Sequence, residues 1–139
     1  MKPLESIKKF LDEHHLLSLA TSCERLWCCS MFYAYLDDEV AFVVASDPQT
    51  EHMLNVSVNP LVAGTVALET KTVGKIRGIQ FAGEMLKAES LDGGAYFERF
   101  PYARVMNPTL WKIRLDEIKM TDNTLGFGKK LIWKRDSSE

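Results

Sequence analysis

The chain has 139 residues, a length typical of one domain that buries its core without disulfide or metal staples. Its net charge of −2 gives no support for a nucleic-acid-binding surface. No apolar run approaches the roughly 20 residues of a membrane helix, and the N-terminus lacks the apolar stretch of a signal peptide. We therefore expect a single cytoplasmic domain over residues 1–139, with neither nucleic acid nor membrane as a partner.

The three cysteines, Cys23, Cys28 and Cys29, are odd in number and crowded, which argues against a disulfide framework and favours a reducing compartment. Neighbouring residues on a strand point to opposite faces, so Cys28 and Cys29 would not meet as a redox pair. No second pair of ligands follows at the spacing of a zinc site. We expect neither cysteine catalysis nor a metal site.

The first half of the chain predicts one helix followed by strands. Apolar residues at helical spacing indicate an amphipathic helix over residues 4–15. The period then changes, and residues 16–21, 27–36 and 40–45 have the apolar, strand-like patterns of a sheet. The polar residues at 22–25 predict the first of the turns that join these strands.

The second half continues the same arrangement. We expect a helix at 50–58, strands at 61–69 and 72–88, a short helix at 94–100 and a further strand at 111–115. Short, mostly antiparallel strands with short peripheral helices predict an α+β protein built on a closed barrel. A barrel of this size has little interior room, so a ligand site is expected on its outside or at a subunit interface.

The corner between the strand at 40–45 and the next helix is a candidate phosphate site. Ser46 or Asp47 is expected to cap the helix, and Pro48 suits its first turn. The free N–H groups of a helix start favour an anion, and Thr50 and His52 add a hydroxyl and an imidazole. The alternative is a capped helix that binds nothing.

The strand at 76–85 predicts a shallow shelf on the barrel surface. Ile79, Phe81 and Met85 share the face that we assign to the core. The opposite face carries mostly small side chains around one amide: Gly78, Gln80, Ala82 and Glu84. A flat heteroaromatic ring fits such a shelf, with the amide of Gln80 bonded to its edge. The alternative is an ordinary solvent-facing strand.

These segments together resemble the FMN-binding split-barrel family, which includes pyridoxamine 5′-phosphate oxidase. The C-terminal residues 121–135 resemble a small uncharacterised part of that family, the YhbP-like branch. The other motifs that carry the resemblance are, in chain order, Leu-Leu-x-Leu-Ala-Thr (16–21), Trp-x-x-Ser-x-Phe-Tyr (27–33), Ser-x-x-x-Thr-x-His (46–52), Asn-Pro-x-Val-Ala (59–63) and Ile-Arg-Gly-Ile-Gln-Phe-x-Gly (76–83).

The resemblance implies an FMN cofactor at the interface of a dimer. In that family a Ser or Thr and a basic residue hold the phosphate, and the matching positions here are Thr50 and His52, with Ser46 nearby. His52 stands where many relatives have Lys or Arg, and a neutral imidazole brings no charge near neutral pH. The phosphate grip is therefore expected to be weaker than usual.

The resemblance also assigns residues to the flavin ring. The family's ring-binding Gln falls at Gly78, and this chain instead has Gln80, two residues on and on the same face. Trp133 matches in type a Trp that the oxidase uses near its flavin, although at a different spacing. In the family, one strand lies with its backbone along the ring. The corresponding residues here are Cys29, Ser30, Met31 and Phe32.

The sequence thus predicts a homodimeric FMN-binding flavoprotein, an oxidoreductase of unknown substrate. The tail, residues 121–135, ends in basic and aromatic residues and has no evident place on its own barrel, which adds to the expectation of a dimer. No counterpart of the oxidase's substrate-phosphate site is present, so oxidation of pyridoxamine phosphate is not expected. The alternatives are a non-catalytic module that sequesters flavin, haem or another planar ligand, and a dimer with a vestigial site.

Overall fold

The computed structural model describes residues 2–126 and 128–136. Short 3-10 turns occur at Val73–Lys75, Pro101–Met106 and Asn123–Leu125. The helices and strands are, in chain order, α1 (Pro3–Glu13), β1 (Leu16–Cys23), β2 (Arg25–Leu36), β3 (Ala41–Ala45), α2 (Glu51–Val58), β4 (Leu61–Ala67), β5 (Arg77–Lys87), α3 (Asp92–Arg99), β6 (Leu110–Asp122) and β7 (Lys130–Lys134).

The strands form one antiparallel sheet that closes on itself. Their order is β3-β2-β1-β4-β5-β6-β7, and a pairing of β3 with β6 closes six of them into a barrel. The beginning of β6 pairs with β3, with Phe42 opposite Ile113, and its later part pairs with β7, with Ile118 opposite Trp133. The predicted α+β fold, a mostly antiparallel split barrel with short peripheral helices, is confirmed.

Period-two alternation directs the apolar side chains of the strands into the barrel. On β5, Ile79, Phe81 and Met85 are 2–4% exposed, so the predicted core face is confirmed. The helix α1 adds three fully buried side chains at helical spacing, Ile7, Phe10 and Leu11. Val43 is also fully buried, but in a separate cluster with Ala34 and Tyr96. The other apolar strand residues that are at most 1% exposed are Leu17, Leu19, Tyr33, Ala41, Phe42, Val44, Val66, Ile113, Leu115, Ile118 and Met120.

The structure corrects the extent of two predicted strands. The strand expected at 72–88 begins only at Arg77, because a 3-10 turn precedes it. The strand expected at 111–115 is the 13-residue β6. Its alternation breaks at Asp116 because Gly83 pairs with Leu115 and Ala82 with Glu117, which leaves Asp116 unpaired in a β-bulge. At the bulge two exposed polar residues, Asp116 and Glu117, follow one another. This break in the alternation is why the sequence pattern did not predict the rest of the strand.

The turns also differ from the expected pattern. Cys23 pairs with Arg25, so the turn predicted at 22–25 shrinks to Glu24 alone, with a left-handed φ of 63°. In the tail, Gly126 and Gly128 adopt φ values of 131° and 75° that favour glycine. Phe127, between these two glycines, lies outside the described residues.

Arg99 connects α3 to the opposite layer of the fold. Its guanidinium donates to the carbonyl oxygens of Tyr33 at 3.0 Å, Asp12 at 3.1 Å and His14. It also lies 5.1 Å from the centre of the Tyr33 ring. Because the carbonyls at a helix end lack partners within the helix, one cation stabilises the end of α1 and fixes α3 against β2.

Among the residues that the structure describes, no helix is long and apolar enough to cross a membrane.

Candidate functional site

The backbone of Ser46 is held in place where β3 ends. Its N–H donates to the carbonyl of Thr109 at 3.0 Å, and its own carbonyl accepts from the indole N–H of Trp111 at 2.9 Å. Both partners belong to the chain that enters β6, the strand that closes the barrel against β3. The Ser46 hydroxyl is therefore presented from a rigid position rather than from a free loop.

The three residues predicted to hold a phosphate lie together. The Ser46 Oγ is 2.6 Å from the His52 Nε2, and the Thr50 Oγ1 is 3.2 Å from the same nitrogen. The two hydroxyl oxygens are 3.4 Å apart. We refer to Ser46, Thr50 and His52 as the Ser46 cluster. It brings two hydroxyls and one imidazole nitrogen to a single point at the start of α2.

The predicted capping of α2 is wrong. The N-cap residue is Thr50, not Ser46 or Asp47, and Pro48 lies in the preceding turn rather than in the helix. Asp47 is occupied by that turn, because its carbonyl accepts from the Thr50 hydroxyl at 2.8 Å and its Oδ1 accepts from the N–H of Gln49 at 2.8 Å. An aspartate that closes a turn on itself is a common alternative to capping.

The start of α2 therefore has backbone donors to offer. Thr50 makes no side-chain cap bond to α2 within the described chain. The first bond within the helix is donated by Leu54 to the carbonyl of Thr50, so the N–H groups of Glu51, His52 and Met53 precede the helical ladder. These donors, beside the two hydroxyls of the Ser46 cluster, suit an anion.

The charge at this corner is small. Burial lowers the pKa of His52, so its imidazole is neutral near neutral pH. Arg25 contacts the start of α2, where its guanidinium pairs with the carboxylate of Glu51. An anion held here would depend mainly on neutral N–H and O–H donors. This outcome agrees with the weak phosphate grip expected from His52.

A cavity of about 650 Å³ opens next to the cluster. Phe32 and Ser46 line it, and both are predicted site residues. Its far wall comes from α3 and the segment that follows, and is mainly apolar and aromatic. We call this space the aromatic cavity. Its principal wall residues beside Phe32 and Ser46 are Tyr96, Phe100, Tyr102 and Met106.

Sequence reasoning missed this far wall. Phe32 on β2 and Phe100 after α3 meet with ring centres 5.2 Å apart, and Phe100 lies 5.2 Å from Tyr96. These residues are distant in the chain, and the contact depends on how Arg99 fixes α3 against β2. The available signal was the concentration of apolar and aromatic residues at 96–106 in a stretch with no strand pattern.

The predicted ring-binding residues divide between two faces of β2. Cys29 and Met31 point towards the core, so only their backbone can face a ligand. Ser30 and Phe32 point outward, and Phe32 is 51% exposed. The contact that the resemblance implies is one of the strand's backbone, and it stays a prediction for Cys29 and Met31.

Gln80 and Ser30 lie on the same outer face of the barrel, in one row. Ser30 pairs with Ser18, Ser18 with Thr65, and Thr65 with Gln80. Strands are spaced by about 4.8 Å, so three steps separate Gln80 from Ser30 by roughly 14 Å. We call this face, across β2, β1, β4 and β5, the outer shelf. The structure thus places Gln80 on the predicted shelf, but at some distance from β2.

Trp133 lies away from the Ser46 cluster. It packs against the barrel core from β7, and its ring is 5.3 Å from the Arg135 guanidinium. Arg135 donates to the carbonyls of Glu39 and Val40, just before β3, whereas Ser46 follows the other end of β3. The tail also has a place on its own barrel, through the β6–β7 pairing, so that expectation is wrong.

Comparison with known proteins identifies the group to which the chain belongs. The chain is 48% identical over 140 residues to a UPF0306 protein from Cronobacter sakazakii, with 97% of each chain covered. It is 46% identical over 143 residues to the UPF0306 protein YhbP from Salmonella arizonae, covering 99% of this chain and 97% of that protein. The chain belongs to the UPF0306 family. No family model matches it. The predicted YhbP-like assignment is confirmed.

Solved structures share the fold of this UPF0306 protein at low sequence identity. A haem-binding protein from Mycobacterium smegmatis has a TM-score of 0.79 at 15% identity, over 96% of this chain and 58% of that one. The haem storage protein HutZ from Vibrio cholerae has a TM-score of 0.64 at 17% identity, over 96% and 95%. An FAD-binding protein from Mesorhizobium loti has a TM-score of 0.66 at 14% identity, over 85% and 90%. These likenesses establish the split-barrel fold.

Proposed function

We propose that this UPF0306 protein is a homodimeric flavoprotein that binds FMN and serves as an oxidoreductase. The observation that carries the proposal is the Ser46 cluster at the uncapped start of α2, directly beside the aromatic cavity. A cluster of neutral donors at a helix start matches the anionic end of a ligand whose flat ring lies along β2 and the outer shelf, outside the aromatic cavity. FMN has this form, and split-barrel neighbours include a protein named for FAD binding.

The phosphate end fits the donors that the corner presents. The N–H groups in the first turn of α2 and the hydroxyl of Ser46 would donate to phosphate oxygens, while the Thr50 hydroxyl donates to the Asp47 carbonyl. The His52 Nε2 lies within hydrogen-bond distance of both hydroxyls and would orient them. The fit rests on hydrogen bonding rather than on charge, because burial keeps the pKa of His52 low.

The ring end is assigned to β2 and the outer shelf. The backbone of Cys29, Ser30, Met31 and Phe32 would lie along the ring. Gln80 offers an amide on the same outer face as Ser30. When bound, FMN would supply the electron transfer, while the protein binds it, orients it and excludes water. Trp133 packs towards the barrel core with Ile118, on the face opposite to Gln80, and so would not contact the ring within one protomer.

The outer shelf supports the proposal of a homodimer. Leu16, Phe32 and Leu61 lie on this face with 52%, 51% and 61% of their surfaces exposed, among small side chains. Exposed apolar residues on a flat surface are typical of an interface. A two-fold axis presents the same shelf twice and so covers two equivalent ligands. A flavin resting on one such shelf would be buried only by a second copy.

A second candidate is a binding module for haem. Two split-barrel neighbours are named for haem binding or storage. The absorption spectrum of the purified protein separates the two, because flavin and haem have distinct bands.

The test of the proposed function is a comparison of FMN with riboflavin in a binding titration. A helix start contributes about 0.3–2 kcal/mol towards an anion, and a charged hydrogen bond adds about 1.5–3 kcal/mol. We therefore expect FMN to bind roughly one to three decades more tightly than riboflavin. Ser46→Ala should reduce this preference, while the control Ser57→Ala, at the exposed end of α2, should leave it unchanged. Equal binding of both flavins would refute the phosphate site.

A further inference from the structure

The aromatic cavity is lined mainly by apolar and aromatic side chains. Among the described residues that line it there is no Lys or Arg, and the charged side chain is Asp47. The Asp47 carboxylate already accepts a bond from the N–H of Gln49. Arg104, in the segment that forms the far wall, is not part of the lining and lies 4.6 Å from the centre of the Phe97 ring.

This distribution of charge selects against anions. An anion that enters an apolar space loses its hydration, and that loss is compensated only by a cation or by several donors. The cavity supplies no lining cation in the described chain, and Asp47 repels a negative charge. A phosphate or carboxylate is therefore disfavoured within the cavity, although the neighbouring Ser46 cluster suits one.

The aromatic rings favour a flat apolar molecule. Phe32, Phe100 and Tyr96 form a chain of tilted contacts with ring centres 5.2 Å apart at each step. Tyr102 and Met106 stand at the mouth, where they are 90% and 82% exposed. Tilted and edge-on contacts with a further ring are the geometry that aromatic side chains prefer. A volume of about 650 Å³ is also in the range of small-molecule sites.

We propose that the aromatic cavity binds a second ligand beside the proposed FMN, namely an uncharged aromatic molecule without phosphate or carboxylate. The proposal rests on the proposed function only for the presence of FMN beside this molecule. The cavity itself requires no flavin to bind it. The proposed ligand is therefore not a phosphorylated molecule. A phosphate would need cations, and the described lining residues supply none.

The experiment measures binding of four matched naphthalenes by fluorescence at low ionic strength, with and without saturating FMN. The probes are 2-naphthylmethanol, 2-naphthylmethylamine, 2-naphthoate and 2-naphthyl phosphate. We expect the neutral probe to bind about tenfold or more tightly than either anion, and FMN not to displace it. The amine should bind no more tightly than the alcohol, because its ammonium also loses hydration in the apolar space and Asp47 is exposed to solvent.

A pair of lysine substitutions tests the location. Met106→Lys adds a cation at the exposed mouth and should improve 2-naphthoate binding by roughly two- to fivefold, as an exposed ion pair does. Val105→Lys adds the same charge at a neighbouring position that is 86% exposed and outside the lining, and should have no effect. Both side chains are exposed, so folding should survive.

The outcomes separate this inference from the proposed function. No naphthalene binding, equal binding of 2-naphthyl phosphate, or an equal effect of both lysines would overturn the inference. Displacement of the neutral probe by FMN would also overturn it, since the probe would then occupy the flavin site. Flavin fluorescence follows FMN binding independently, so failure of FMN to bind while the naphthalenes bind would refute the flavoprotein alone.

Discussion

Tyr33 and Tyr35 lie two residues apart on β2, but within the described chain only the hydroxyl of Tyr33 has a hydrogen-bond partner. The Tyr33 hydroxyl donates to the carbonyl of Leu11 at 2.7 Å. The Tyr35 hydroxyl is buried and has no partner among the described residues. Both rings pack on Phe42, with ring centres 4.9 and 6.0 Å away. The two tyrosines thus share an environment and differ in one bond.

Tyr33→Phe and Tyr35→Phe should change stability in different ways. Loss of the Tyr33 bond should lower the free energy of unfolding by about 1 kcal/mol. Removal of the unpartnered Tyr35 hydroxyl should leave stability unchanged or raise it by up to about 1 kcal/mol, because a buried polar group without a partner is costly. Urea denaturation of both variants measures the difference, with equal m-values as the check that the unfolding reaction is the same. Equal destabilisation by both would contradict the distinction.

The same two residues predict a loss of stability at alkaline pH. Burial raises the pKa of Tyr35 to about 12, and burial also raises the pKa of Tyr33. The pKa in the unfolded chain is about 10. A folded-state pKa above the unfolded value contributes stability that is complete below pH 10 and is lost as the pH rises through the folded-state pKa. Unfolding followed from pH 8 to 11.5 should show this decline, and Tyr35→Phe should reduce it.

FMN binding should depend on the protonation of His52. Burial lowers its pKa, and a bound phosphate would oppose that effect, so binding should favour the imidazolium as the pH falls. The phosphate also titrates near pH 6, so the informative quantity is the difference between wild type and His52→Ala. Titrations between pH 5.5 and 8 should show relatively tighter binding to the wild type at low pH. Identical pH profiles would remove His52 from the site.

Gln80→Leu should weaken binding of FMN and riboflavin by the same factor, since both carry the same ring. One or two hydrogen bonds at about 0.5–1.5 kcal/mol each give a loss of up to roughly two decades. Gln80 is exposed, so thermal unfolding of the free protein should not change. Unchanged affinities in a fluorescence titration would show that Gln80 only faces solvent.

Light scattering should give a particle of about twice the 15.8 kDa mass of the chain. Ala63 lies exposed in the middle of the outer shelf, where it pairs with Ala20 and Ala82. Ala63→Glu should therefore produce monomers and weaken FMN binding together. The control Val73→Glu adds a charge at an exposed position outside the shelf and should do neither. A monomeric wild type at micromolar concentration would be decisive against the dimer.

Local patterns predicted the barrel because its signals are local. The alternation of Ile79 and Phe81 was sufficient to orient β5, since each strand reports its own inner face. The extent of β6 was not predictable in this way, because the bulge at Asp116 depends on the partner strand. The sequence alone allows Asp47 either to cap α2 or to close the turn before it. In the structure its carboxylate and its carbonyl both accept bonds within that turn.

The candidate site also has a part that local sequence predicts and a part that it does not. Ser46, Thr50 and His52 are close in sequence, and the structure brings them within 3.4 Å of one another. The aromatic cavity joins Phe32 to Phe100, which no local pattern connects. Trp133 was assigned by type rather than by spacing, and β7 holds it at the other end of β3.

The closure of the barrel determines when this protein can fold during its synthesis. Phe42 pairs with Ile113, so β3 remains an open edge until β6 has left the ribosome. The loop that this pairing closes contains four of the other strands and helices, which makes closure a late step with a high entropic cost. The Ser46 backbone gains its partners Thr109 and Trp111 in the same step. A nascent chain therefore cannot present a finished ligand site before nearly all of it has been translated.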